Sequence, residues 1–203
     1  MNFYTMVFDE GYLRMLWDAA HVRSLVGEYN IDHRIDINSG PVAHKNVFKE
    51  PIRVSFDYSH PDYKGRIRGD LSVQEGRLYL NQKALNALKP LIDDDGDIIE
   101  VIDEKNEIGY VFTPLQVAEK VDAIDMKLTQ INQWGDPEHL AFYEDRLERW
   151  NIFRCELNSY MSLQCSQAVK DLIEKFNLKG VFFTPSLGNR YPNQFDKNKI
   201  DSH

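Results

Sequence analysis

At 203 residues, 42% hydrophobic and 28% charged, the chain can bury roughly 70% of its unfolded surface, so it needs no metal or disulfide to hold a core. That composition excludes wholesale disorder. Its 24 basic against 32 acidic residues leave a formal charge of −8 at pH 7, which excludes a general nucleic-acid binder, because phosphate recognition requires a basic face.

The opening segment 2–8 is rich in aromatic and β-branched residues and predicts a strand. It carries no basic lead, and Asp9 and Glu10 precede any long apolar run, so it does not read as a secretory signal. Across 12–26, Leu13, Leu16, Trp17, Ala20 and Leu25 fall at mostly helical spacing and predict a helix. The chain is then irregular to about residue 50, punctuated by Gly40-Pro41. In 51–58, Ile52, Val54, Phe56 and Tyr58 alternate, the pattern of a half-buried strand starting at Pro51.

A loop at 59–70 leads to two short extended pieces around Gly76. Asn81 is placed to cap a helix whose inner face is Ala84, Leu85, Leu88 and Leu91, with Pro90 limiting its length. "DIIEVID" and "EIGYVFT" predict a hairpin. The segment 115–126 alternates in part and predicts a further strand. Gly135-Asp136-Pro137 marks a turn, "AFYEDRLERW" fits strand or helix equally well, and 151–155 predicts a strand.

The closing helix has an apolar stripe of Ala168, Val169, Leu172, Ile173 and Phe176, with Ser166 at its start and Gly180 past its end as the expected C-terminal cap. "VFFTP" predicts a short buried strand, and 186–203 a loosely ordered tail. Runs of strands with two to four helices between them define an α+β class with a mixed or mainly antiparallel sheet.

The motifs that carry chemistry fail one by one. "DDDGD" at 93–97 looks like a calcium loop, but Gly96 at the sixth position puts Leu91 first and Ile102 twelfth, neither of which binds calcium. Starting at Asp93 puts Ile98 where glycine belongs. The run is a helix-to-strand turn. Cys155 and Cys165 are expected to be reduced and buried, although a thiol–imidazole pair with His139 has to be considered. No two histidines have the spacing of a zinc helix, and neither a Cys-x-x-Cys nor a phosphate loop occurs. No catalytic, metal or cofactor site is expected.

What is left is a surface. Asp93, Asp94, Asp95, Asp97, Glu100, Asp103, Glu104 and Glu107 face only Lys105 as an opposing charge, and together they form an expected acidic rim for a basic partner. Trp134, in a predicted loop, is an expected interface anchor.

The second half also resembles immunity family 11 of bacterial polymorphic toxin systems, once catalogued as a domain of unknown function. The resemblance spans about 71–185 and rests on Val121, Asp122 and Asp125; on Ile152, Phe153 and Arg154; and on Gly180, Val181 and Phe183. It divides the chain into an N-terminal region 1–70 of the same domain, a 71–185 core and the 186–203 tail. It implies a cytoplasmic antitoxin that binds the toxin domain of a neighbouring secreted effector, with no nucleic acid or membrane as partner. The family's targets differ, so the toxin does not transfer. Two other classes stay open at this point: a hydrolase or transferase, and an accessory protein of a secretion or phage-like apparatus.

Overall fold

The computed structural model describes residues 3–59 and 61–188. In chain order these form β1 (Phe3–Phe8), β2 (Met15–Trp17), α1 (Ala19–Val26), β3 (Ile52–Phe56), β4 (Leu71–Gln74), β5 (Arg77–Leu80) and α2 (Gln82–Ile92). They continue with β6 (Gly96–Ile102), β7 (Ile108–Pro114), β8 (Gln130–Ile131), β9 (Pro137–His139), β10 (Ile152–Phe153), β11 (Leu163–Ser166), α3 (Gln167–Lys175) and β12 (Val181–Thr184). The architecture is α+β, as expected. One sheet runs β10-β11-β1-β12, a second runs β2-β3-β6-β7-β5-β4, and β8-β9 is a separate hairpin. Every pairing is antiparallel except β3 with β6.

The strand β1 lies between β11 and β12, with Phe3 opposite Ser166 and Phe8 opposite Val181. A boundary at residue 71 therefore cuts through both larger sheets, because β2 and β3 complete the second one.

Alternation decides which core each side chain enters. On β5, Leu78 and Leu80 join a first core with Phe112, α2, α3 and the inner face of the first sheet, while Tyr79 turns to a second core with Val111, Ile99 and Val101. The six-stranded sheet is thus covered on both faces, with α1, Ile35 and Phe48 closing the second core. A third core gathers Phe3, Ala118, Ala123, Leu140, Leu147, Phe153 and Cys155. In it Phe153 meets Phe3 and Phe142 edge-on, each at 5.2 Å between ring centroids.

Several local expectations hold. Asn81 caps α2, its Oδ1 accepting from the Ala84 N–H at 2.9 Å. The β4–β5 turn is a two-residue hairpin in which Glu75 (φ 47°) and Gly76 (φ 71°) both take the left-handed region. A Cβ at Gly76 would lie 1.8 Å from the Tyr160 carbonyl oxygen, so only glycine fits.

Others are corrected. The segment 12–26 is not one helix: Met15–Trp17 pairs with β3, and α1 starts only after Asp18, whose carboxylate accepts from the His21 N–H at 2.9 Å. Leu13 and Met15 are buried around exposed Arg14, a period of two that the overlapping helical spacing hid. Pro90 sits inside α2, which runs on to Ile92. Residues 115–126 hold a short 3-10 turn at Ala118–Val121, not a strand.

Ser166 precedes α3 but makes no capping bond; its hydroxyl bonds the Asn151 side chain at 3.1 Å. Past α3, Asn177 takes the left-handed conformation (φ 48°) that Gly180 was expected to supply. Gly180 is needed for a different reason, since a Cβ there would lie 1.9 Å from the Leu71 carbonyl oxygen. Tyr58 lies outside β3 and is exposed, and Phe176 stands at the exposed end of the α3 stripe. Of the expected loose tail, Ser186–Gly188 are tied down, with Leu187 accepting from the Leu140 N–H at 2.8 Å and the Gly188 N–H donating to Thr5 Oγ1 at 2.9 Å. Residues 189–203 lie outside the described residues.

Candidate interaction surface

The acidic run does not form one rim. Asp93 and Asp94 precede β6, while Asp103, Glu104 and Glu107 follow it, and the seven residues of β6 separate the two ends by roughly 20 Å at strand rise. Three of the eight carboxylates are buried. Asp95, 2% exposed, accepts at Oδ2 from the backbone N–H of Asn151 at 2.7 Å and of Ile152 at 3.0 Å, joining the start of β6 to β10. Buried Asp97 accepts at Oδ2 from the N–H of His44 at 2.6 Å and of Lys45 at 2.8 Å, tying down the irregular 27–51 stretch. Asp103 closes the β6–β7 turn, its Oδ1 accepting from the Lys105 N–H at 2.7 Å and the Glu107 N–H at 2.9 Å. These three are corrections to the expected partner-binding set: they hold their own backbone.

The tip of that hairpin is also neutralised from within. Arg68 donates to Asp103, to Glu104 at 2.5 Å and to Glu107 at 3.1 Å, and its guanidinium lies 4.6 Å from the Phe56 ring centroid. Burial opposes the charge on Arg68, yet hydrogen bonds to Tyr58 and Glu104 and the surrounding carboxylates raise its pKa. At the other end Lys89 pairs with Asp93. Asp94 and Glu100 are exposed with no ion pair among the described residues.

The loop held by Asp97 meets a second internal clamp that the sequence did not disclose. Arg77 and Arg154 are both fully buried. Arg77 donates to Thr113 Oγ1 at 3.3 Å and to the Asn38 carbonyl, and Arg154 to the carbonyls of Ser39 at 2.6 Å, Gly40 at 3.2 Å and Pro114 at 2.7 Å. Burial lowers their pKa to about 10 for Arg77 and about 9 for Arg154, where the neighbouring Arg77 charge adds to the effect. Both stay protonated at neutral pH. Buried His44 is pushed down to about 4 by burial and then by Arg77, so its imidazole is neutral. The sequence signals this clamp only by placing Arg154 inside the apolar strand segment "IFRC".

The thiols sit apart. Cys165 belongs to the first core and Cys155 to the third, both are free, and burial raises the pKa of each. Neither is a thiolate at neutral pH. His139 lies half-buried on β9. Among the described residues no group of three or more His, Cys, Asp or Glu side chains can hold a metal ion.

Trp134 stands where an anchor was expected. The Asn132 side chain accepts from the N–H of Trp134 at 2.9 Å and of Asp136 at 3.0 Å, and Gly135 takes φ 91°, so the β8–β9 turn displays an indole that is 77% exposed. Sequence reasoning missed its neighbours. Of the thirteen large hydrophobics exposed among the described residues, six fall between residues 121 and 143: Val121, Met126, Leu128, Ile131, Trp134 and Tyr143.

Met126 also enters the lining of a groove of about 370 Å³, with Glu119, Asp122, Ile124, Glu156 and Leu157. Asp122 takes the left-handed conformation after the 3-10 turn, and Asp125 Oδ1 accepts from the Lys127 N–H at 2.9 Å, so the Val-Asp-x-x-Asp stretch shapes this edge of the molecule.

No protein-family model matches the chain, and no curated protein is found similar to it. No helix among the described residues is long and apolar enough to cross a membrane.

Proposed function

We propose that this chain is a cytoplasmic immunity protein that binds the toxin domain of a cognate effector, one to one, and blocks it. The observation that carries the reading is the segment 121–143, which exposes six apolar side chains, one of them, Met126, in a groove with Glu119, Asp122 and Glu156, carboxylates without ion pairs among the described residues. Contiguous apolar surface rimmed by polar groups is typical of protein-binding sites, and a protruding tryptophan is a frequent hot spot. A formal charge of −8 favours encounter with a basic partner.

The positions that carry the family resemblance fit a scaffold role. Phe153 is the aromatic hub of the third core, Arg154 clamps three carbonyls, and Gly180 allows the close approach to Leu71. Phe153, Arg154 and Gly180 lie in the scaffold, while Val121 is exposed and Asp122 lines the groove. A neutraliser of this kind works by shape and charge, and its specificity resides in the surface.

The test is co-expression with the toxin domain encoded beside this gene. Growth rescue together with a co-purifying complex is the expected result. The absence of both would refute the reading. Within a positive result, Trp134→Ala should weaken the complex about 10- to 100-fold while leaving the melting temperature unchanged.

A further inference from the structure

The groove beside Glu119 has a chemistry specific enough to name its occupant. Its apolar part is Ile124, Met126 and Leu157, and its walls carry Glu119, Asp122 and Glu156. We infer that it seats a cationic side chain, lysine or arginine, projected by the partner protein, with the aliphatic stem on the apolar floor and the charged end among the three carboxylates. The inference rests on the reading above only for who the partner is.

Three features support that assignment. Glu119 is fixed in place at the groove, because its Oε1 accepts from the Leu157 N–H at 2.9 Å.

The surrounding basic groups do not fill the role. Arg146 donates to the backbone carbonyl of Asp122 and lies over the Tyr143 ring at 4.7 Å, and Lys120 and Lys127 on the same segment form no ion pair among the described residues. The negative field also reaches Tyr160, whose pKa is raised by burial first and then by Glu156 and Glu119.

Competing occupants fit worse. A small inorganic cation keeps its hydration shell and gains nothing from Ile124, Met126 and Leu157, and the carboxylates do not converge into a metal-holding group. A neutral apolar side chain gains nothing from the carboxylates of Glu119, Asp122 and Glu156, and an anion is repelled. Lysine and arginine combine a long apolar stem with a charged end that must face acceptors.

The experiment uses the whole protein and butylguanidinium as the probe, followed by amide chemical shifts, with butanol and butyrate at matched concentration as neutral and anionic controls. Saturable shifts at Ala123, Ile124 and Leu157 with butylguanidinium alone are expected. The double variant E119Q/E156Q, which keeps the acceptor for the Leu157 N–H, should lower the affinity about fivefold or more. The single exposed variant Glu156→Lys should lower it as well, which guards against misfolding of the double variant.

Equal shifts with butanol, or shifts unchanged in both variants, would overturn the inference. Its failure is separable from that of the immunity reading. Rescue by a double variant as effective as the unmodified protein, with no probe binding, removes the groove and leaves the antitoxin. Specific probe binding without rescue keeps the groove and removes the antitoxin.

Discussion

Two acidic regions of this molecule behave in opposite ways. Around β6 and β7, eight carboxylates crowd a short stretch of chain, yet Asp95, Asp97 and Asp103 are turned into backbone acceptors and Arg68 gathers Asp103, Glu104 and Glu107. The groove is lined by only three acidic residues, at positions 119, 122 and 156, and none has an ion pair among the described residues. Charge density along a sequence therefore measures a different thing from charge offered to a partner. The first region uses its charge to hold the fold, and the second leaves it at the surface.

The contrast is sharpest in stability. Arg154→Met should destabilise the fold by about 3–5 kcal/mol in urea denaturation, because the buried carbonyl of Pro114 and the partly buried carbonyls of Ser39 and Gly40 lose their donor. A loss under 1 kcal/mol would show that the 38–40 loop opens freely and that the clamp is dispensable. Next in size, Asp95→Ala should cost about 2–3 kcal/mol by exposing two buried N–H groups to no acceptor, whereas Asp94→Ala beside it should change stability by less than about 0.5 kcal/mol.

A pH series separates two buried groups whose effects have opposite sign. Burial holds the Asp95 carboxyl up at about 6, against the pull of its two N–H donors. Because its folded pKa lies above the ordinary value, its contribution is complete below about pH 4 and is lost as pH rises through 6. His44 is shifted down to about 4, so its contribution is complete above about pH 6.5 and is lost as pH falls through 4. Melting temperatures between pH 4 and 7 should therefore fall more steeply toward acid in Asp95→Asn than in the unmodified protein, and less steeply in His44→Phe. The same slope in all three would refute the assignment.

The smallest expected effects fall on the exposed acids. Glu100→Gln and Glu156→Gln should each leave the fold within about 0.5 kcal/mol. Against a basic partner both should lower the association rate and its salt dependence. At the groove the loss should also appear in the dissociation rate, since a seated charge is desolvated.

Much of the fold was legible because its signals are local. The alternation of Ile52, Val54 and Phe56, the "NQKALNALKPL" helix with its asparagine cap, and the hairpin over 96–114 each depend on neighbours a few residues away. The errors arose where two local signals overlapped or where a distant partner decided. Residues 12–26 merged a strand with a helix, Ser166 lost its capping bond to Asn151, and Gly180 answered to Leu71 instead of to α3.

The candidate surface was legible only in part. Trp134 could be picked out because Asn132, Gly135 and Pro137 around it are turn residues. The groove could not, because Glu156 and Leu157 approach Glu119 and Asp122 from more than thirty positions away.

By itself, then, the amino-acid order determined the α+β class, the acidic character and most of the regular elements, since hydrophobic period and capping chemistry act within a turn or two of chain. Tertiary structure alone decided which acids are wired inward, which cations stand buried against the 38–40 loop, and where apolar and negative groups meet at the surface. The reason is physical: the cost of burying a charge, and the bonds that offset it, depend on what the rest of the chain brings alongside.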